Sequence, residues 1–196
     1  MLVLGPSSRL RFGDGPAYWG HRFGVEAAVD TNALERIWFD RWLKSDRDAD
    51  AREAPLRLFV MGANEWRYEN EWPLARTDWQ RWYLHSAGRA NSARGHGGLS
   101  VDMPGDEPED TLIYDPAFPV QSLGGVNGCS PEIEPWGPYD QRPVEARNDV
   151  LFYTSAPLET DFEVIGPIKL VLYAATDGLD TDWTAKLVDV SQWGAQ

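Results

Sequence analysis

The stretch "FEVIGPIKLVLYAAT", residues 162–176, decides how the chain is read. Within it Ile168, Leu170 and Leu172 fall on one side of an extended backbone and Lys169, Val171 and Tyr173 on the other, the period of two expected of a sandwich strand. Gly166 and Pro167 interrupt the run and imply a turn or bulge at that point. The same kind of signal recurs in "LRLFVMG" (56–62), "WQRWYLHS" (79–86), "TLIYDP" (111–116), "DVLFYTSAPL" (149–158) and "DWTAKLVDV" (182–190), with turn residues between the runs and no helical period. Strands joined by long irregular connections, without intervening helices, predict a mainly β chain built as an antiparallel jelly-roll β-sandwich.

Upstream of residue 55 the pattern changes. "MLVLG" is a short apolar run closed by Gly5 and Pro6, which fits a buried central strand of a parallel sheet. A glycine- and aromatic-rich loop follows, residues 5–24. "DTNALERIWFDRWLKS" then reads as a helix: Asp30 or Thr31 can cap it, and Leu34, Ile37, Trp38 and Trp42 recur on one face. With Phe39 and Leu43 widening that stripe, the helix is expected to pack firmly on a neighbour. "SDRDADAREAP" alternates charged and small residues and ends in proline, as an exposed linker does. The organisation expected is therefore a strand, loop and helix over 1–46, a linker over 47–54 and the β-sandwich over 55–196. A run that opens on a strand and an odd number of sandwich strands predict a piece of a longer protein, with uncovered strand edges that promote self-association.

The 196 residues carry 18 Lys and Arg against 31 Asp and Glu, a formal charge of -13. That field opposes binding to phosphate backbones or anionic lipid, so nucleic-acid and membrane-surface roles are disfavoured. The acidity is uneven: residues 101–140 hold nine Asp or Glu and no Lys or Arg. The block is rich in proline and glycine and reads as solvated loops. No apolar run approaches the ~20 residues that span a bilayer, and no charged-then-apolar leader opens the chain, which favours the cytoplasm. The single cysteine, Cys129, can form neither an internal disulfide nor a zinc cluster. Nothing near it lowers its pKa.

The segments "FDRWLK", "LFVMGANEWRYENEWPLART", "YDPAFPVQSLGG", "GPYDQRPVEARNDVLFYTSAPL" and "DTDWTAKLVDV" occur in an order that resembles the cocaine esterase and X-Pro dipeptidyl peptidase-like serine hydrolases. They span nearly the whole chain. The resemblance implies that residues 1–46 are the end of an α/β-hydrolase catalytic domain, followed by a C-terminal jelly roll of galactose-binding-like type. It also implies a Ser, Asp, His triad acting on a small-molecule acyl ester, amide or X-Pro substrate, without a cofactor.

In that family a Gly-Pro-Trp-Ser-His pattern delivers the catalytic histidine, whereas this chain reads Gly5, Pro6, Ser7, Ser8, Arg9. Arg9 cannot act as the base, because a guanidinium stays protonated and offers no lone pair to a serine proton. His21 lies twelve residues further on, in "WGHRFG", and is the weak candidate for a relocated base. A strained Gly-x-Ser-x-Gly elbow is what makes such a serine reactive, and the sequence contains none. The chain is therefore expected to be inactive by itself.

The remaining candidates are weaker. Of ten tryptophans, most are expected in a core or interface, with Trp136 as the plausible exposed platform. In the family the loop containing it borders the acyl pocket, so Val126, Asn127 and Trp136 are the expected substrate-facing residues. Asp177, Asp180 and Asp182 do not have the spacing of a calcium loop and read as a turn. His85 and His96 have no paired His or Cys, and no metal site is expected. A reading from another class stands beside the hydrolase: a non-catalytic β-sandwich binding module that holds carbohydrate or calcium with Trp136 and the acidic loops.

Overall fold

A computed structural model describes residues 1–6, 17–18, 21–44, 54–91, 95–125, 137, 139–191 and 194–195; for 17–18, 21–22, 191 and 194–195 it describes the backbone alone. The chain is mainly β outside one long helix, and its residues fall into two units. The first comprises Met1–Ala75 and Tyr114–Asp140, the second Arg76–Ile113 and Gln141–Gln196.

The first unit is organised around β4 (Leu56–Val60), which runs parallel to β1 (Leu2–Leu4) on one side and antiparallel to β5 (Glu65–Glu69) on the other. A second small ladder joins β2 (Ala17–Tyr18) to β3 (His21–Arg22). Leu56, Leu58 and Val60 are buried on one face of β4. Arg57 and Phe59 lie on the other, opposite Tyr68 and Trp66 in the register. There the Arg57 guanidinium stacks 4.3 Å above the Trp66 ring, and Phe59 meets Trp66 edge to face. Phe23 and Ala27 complete this core from the 3-10 helix region Val25–Ala27. The Trp66 indole donates to the Glu26 carbonyl at 2.6 Å, so the partly buried ring packs against this core with its N–H satisfied. Gly62 and Asn64 supply the positive φ angles, 89° and 54°, that reverse the chain between β4 and β5.

Helix α1 (Thr31–Leu43) begins where the sequence places it, with Asp30 as the cap accepting from the Ala33 amide at 3.0 Å. The apolar stripe, however, is not packed away. No residue of α1 is buried, and Trp38, Phe39, Trp42 and Leu43 are all exposed, so the expectation of a firmly packed helix fails. Trp38 instead rests on Phe39 and Trp42 along the helix itself. An open groove of about 300 Å³ lies between α1 and β1, lined by Met1, Val3, Leu34 and Trp38. The strand β1 is parallel as expected; among the described residues it pairs with β4 on one side, and Leu2 and Leu4 are 47% and 42% exposed.

In the second unit β7 (Gly98–Ser100) lies between β6 (Tyr83–His85), antiparallel, and β8 (Thr154–Ser155), parallel. Gly97 lets this sheet close: a Cβ there would stand 2.0 Å from the Phe152 carbonyl oxygen. Fully buried Ala90 is tied to the same strand end, its carbonyl accepting from the Phe152 amide at 3.0 Å. Helix α2 (Arg142–Glu145) is a single turn, and β9 (Val190–Ser191) pairs with β10 (Gly194–Ala195).

The deciding stretch behaves differently from its pattern. None of the residues 156–189 lies in a hydrogen-bonded strand, although the chain breaks at Gly166 (φ 143°), where the sequence predicts an interruption. Ile168, Leu170, Val171 and Leu172 are exposed on both sides, and Tyr173 is 97% exposed. Apolar alternation makes a segment able to pair, but a ladder needs a second strand, and none is placed beside it among the described residues. Several tryptophans share this fate: Trp42, Trp72, Trp79 and Trp183 are exposed rather than buried.

Candidate functional site

Two places in the chain bear on function, one at the expected substrate loop and one that sequence reading passed over. Val126, Asn127 and Trp136 lie outside the described residues, as does Cys129, but the base of their loop does not. Gly125 and Gly137 form an isolated antiparallel bridge, each amide donating to the other's carbonyl, at 2.7 and 2.9 Å. The bridge holds Gly125 and Gly137 side by side. Gly124 makes that pairing possible, because at φ 70° a Cβ would come within 2.4 Å of the Gly137 carbonyl oxygen. Arg9 is also outside the described residues, and His21 pairs through its backbone with Tyr18 in the β2–β3 ladder.

The second place is a cluster of polar side chains in the second unit. Strand β6 presents His85, and the next residue is Ser86. The Glu107 carboxylate bridges both: one oxygen meets His85 Nδ1 at 2.7 Å and the other accepts from the Ser86 amide at 2.8 Å. On its far side His85 Nε2 faces the Asp102 carbonyl at 3.0 Å and Ser100 Oγ at 3.1 Å. Ser100 Oγ in turn accepts from the Asp102 amide. Next to it Asp110 takes three donors, the Ser86 hydroxyl at 2.7 Å, the Ala90 amide at 2.8 Å and the Tyr153 hydroxyl at 2.8 Å.

The electrostatics follow from these contacts. The hydrogen bond to Glu107 raises the His85 pKa above its ordinary 6.5; burial opposes the rise, and the Asp102 carbonyl adds to it. The same bond holds the Glu107 carboxyl below its ordinary value, helped by the Ser86 amide. For Asp110, burial works against ionisation most strongly. The Ala90 amide and the Ser86 and Tyr153 hydroxyls outweigh it together, so the carboxyl sits below 3.8. Burial, then the hydrogen bond to Asp110 and its charge, pushes the Tyr153 phenol well above its ordinary value.

Ser100, His85 and Glu107 have the residue types of a catalytic triad. A general base must present a lone pair to the serine hydroxyl. His85 Nε2 stands between the Asp102 carbonyl and Ser100 Oγ, so whether it donates to the carbonyl or accepts from the serine follows the protonation of the ring. The contacts fasten chain segments together. The described residues of the 101–140 block are mostly exposed loop, as the sequence suggests, with Glu107 and Asp110 as anchor points within it. His85 stands alone in the sequence because its partners lie 15 to 22 positions away. Among the described residues no group of three His, Cys, Asp or Glu could hold a metal, and no helix is long and apolar enough to cross a membrane.

Residues 48–196 match the model of the X-Pro dipeptidyl-peptidase C-terminal non-catalytic domain, and the chain belongs to this family of cocaine esterase and X-Pro dipeptidyl peptidase-like hydrolases. Over 96% of its length it is 41% identical to the cocaine esterase of Rhodococcus sp. (strain MB1 Bresler), of which the aligned part is 33%. It is also 28% identical, over 80% of its length, to proteins named "Putative serine esterase" from Mycobacterium bovis and Mycobacterium tuberculosis, covering 23% of each. The chain thus spans about a third or less of the length of these curated relatives.

Proposed function

We propose that the chain is the C-terminal, jelly-roll-bearing part of a serine hydrolase for acyl esters, amides or X-Pro peptide bonds, and that it catalyses nothing alone. The match of residues 48–196 to a domain described as non-catalytic carries this reading. Its start at residue 48 also supports placing the linker over 47–54, with residues 1–46 belonging to the catalytic domain. In the intact enzyme an activated serine would attack the carbonyl, a histidine would move the proton and backbone donors would hold the oxyanion.

On this reading Arg9 occupies the histidine position and leaves the 196 residues without a base, while Val126, Asn127 and Trp136 face the acyl pocket. The exposed apolar residues 168–173 support self-association of the isolated chain. The experiment is to sequence the coding DNA upstream of Met1. An in-frame Gly-x-Ser-x-Gly followed by an aspartate is expected, and a stop codon immediately upstream would overturn the assignment to a hydrolase.

A further inference from the structure

The His85 cluster has a geometry that depends on one proton. Segment 102–107 is held to the β6–β7 hairpin at both ends by the same imidazole: Nδ1 to Glu107 and Nε2 to the Asp102 carbonyl. Two acceptors on opposite sides of one ring can both be satisfied only when both nitrogens carry hydrogen. We infer that His85 is a proton-operated clasp, which fastens both ends of segment 102–107 while doubly protonated and releases the Asp102 end when it loses the Nε2 proton.

After that loss, Nδ1–H still donates to Glu107, but a lone pair on Nε2 points at the Asp102 carbonyl. The Ser100 hydroxyl, 3.1 Å away, rotates to donate to Nε2, and the carbonyl is left without a donor. The groups that face the ring are accounted for. Segment 102–107 contributes Glu107 and Asp102, β7 contributes the uncharged Ser100, and on the ring's own side Ser86 shares Glu107 through its amide. Asp110 lies close enough to Glu107 to oppose its ionisation, without reversing the net effect of His85 and Ser86. Because the clasp favours the protonated ring, its contribution is complete below the ordinary histidine value of 6.5 and disappears as pH rises through the higher folded value. The Glu107 end persists through its bond to the Ser86 amide, so the opening is confined to the residues near Asp102.

The test is His85 ring-nitrogen NMR together with amide-exchange protection factors for residues 102–107 in the 196-residue chain, followed from mildly acidic to mildly alkaline pH. Both nitrogens should be protonated at the acidic end, the midpoint should lie above 6.5, and protection near Asp102 should fall about threefold or more across it. The E107Q variant should lower the midpoint while keeping a step, and H85Q should abolish the step. If H85Q does not fold, the direction of the E107Q shift decides. A ring already neutral at the acidic end, protection that stays flat across the midpoint, or an unmoved midpoint in E107Q would each overturn the inference.

Discussion

The Tyr153 hydroxyl donates to Asp110 Oδ2 at 2.8 Å, joining residues 43 positions apart in the second unit. The same carboxylate holds Ser86 and the Ala90 amide, so it gathers the end of β6, the turn beyond it and the approach to β8. Removing the acceptor therefore differs from removing one donor. Y153F should cost about 1.5–3 kcal/mol, the usual value of one hydrogen bond to a charged group, and D110A more than Y153F because three donors lose their partner together. Urea unfolding of both variants measures the order. Equal costs would show that the three bonds do not share one anchor.

Acid should weaken this anchor. The Asp110 carboxyl is held below its ordinary 3.8, so its contribution is complete above that value and is lost as pH falls through the lower folded one. The difference in melting temperature between wild type and D110N should stay constant down to about pH 5 and shrink below about pH 4. A difference unchanged at pH 3 would contradict the direction of the shift.

Close packing at Gly97 makes a steric prediction with an internal control. The Cβ of G97A would meet the Phe152 carbonyl at 2.0 Å, whereas nothing lies within 4 Å of a Cβ at Gly105. G97A should lose about 2 kcal/mol or more and G105A almost nothing, read from denaturant midpoints. Comparable losses would remove Gly97 as the reason the β7–β8 edge closes.

The exposed residues 168–173 predict association. Sedimentation velocity should show species larger than a monomer as concentration rises, and the pair L170K and L172K should move the onset to about tenfold higher concentration. A wild-type chain that remains monomeric throughout would remove the self-association reading.

How far the sequence could be read follows from how local each signal is. The α1 start was legible because Asp30 and Ala33 are three residues apart, and strand β4 because its apolar run is contiguous, while its hairpin partner β5 was not read from the sequence. Residues 162–176 show the limit of the same method. Alternation identifies a segment that can pair, yet pairing depends on a neighbour, and these residues remain exposed and unladdered. The α1 stripe fails for a similar reason, since an apolar face predicts burial only where something covers it. His85, Glu107 and Asp110 were invisible as a unit because their contacts cross 15 to 43 positions. Of the expected substrate loop, the Gly125–Gly137 bridge is seen, while Val126, Asn127 and Trp136 lie outside the described residues.

The most direct measurement of the central claim is whether the purified 196-residue chain turns over a simple phenyl ester and reacts with a fluorophosphonate probe. With Arg9 where a histidine is expected and no Gly-x-Ser-x-Gly in the sequence, neither turnover nor labelling should exceed the buffer control. Covalent labelling of a serine, accompanied by turnover that disappears when that serine is replaced by alanine, would contradict the account.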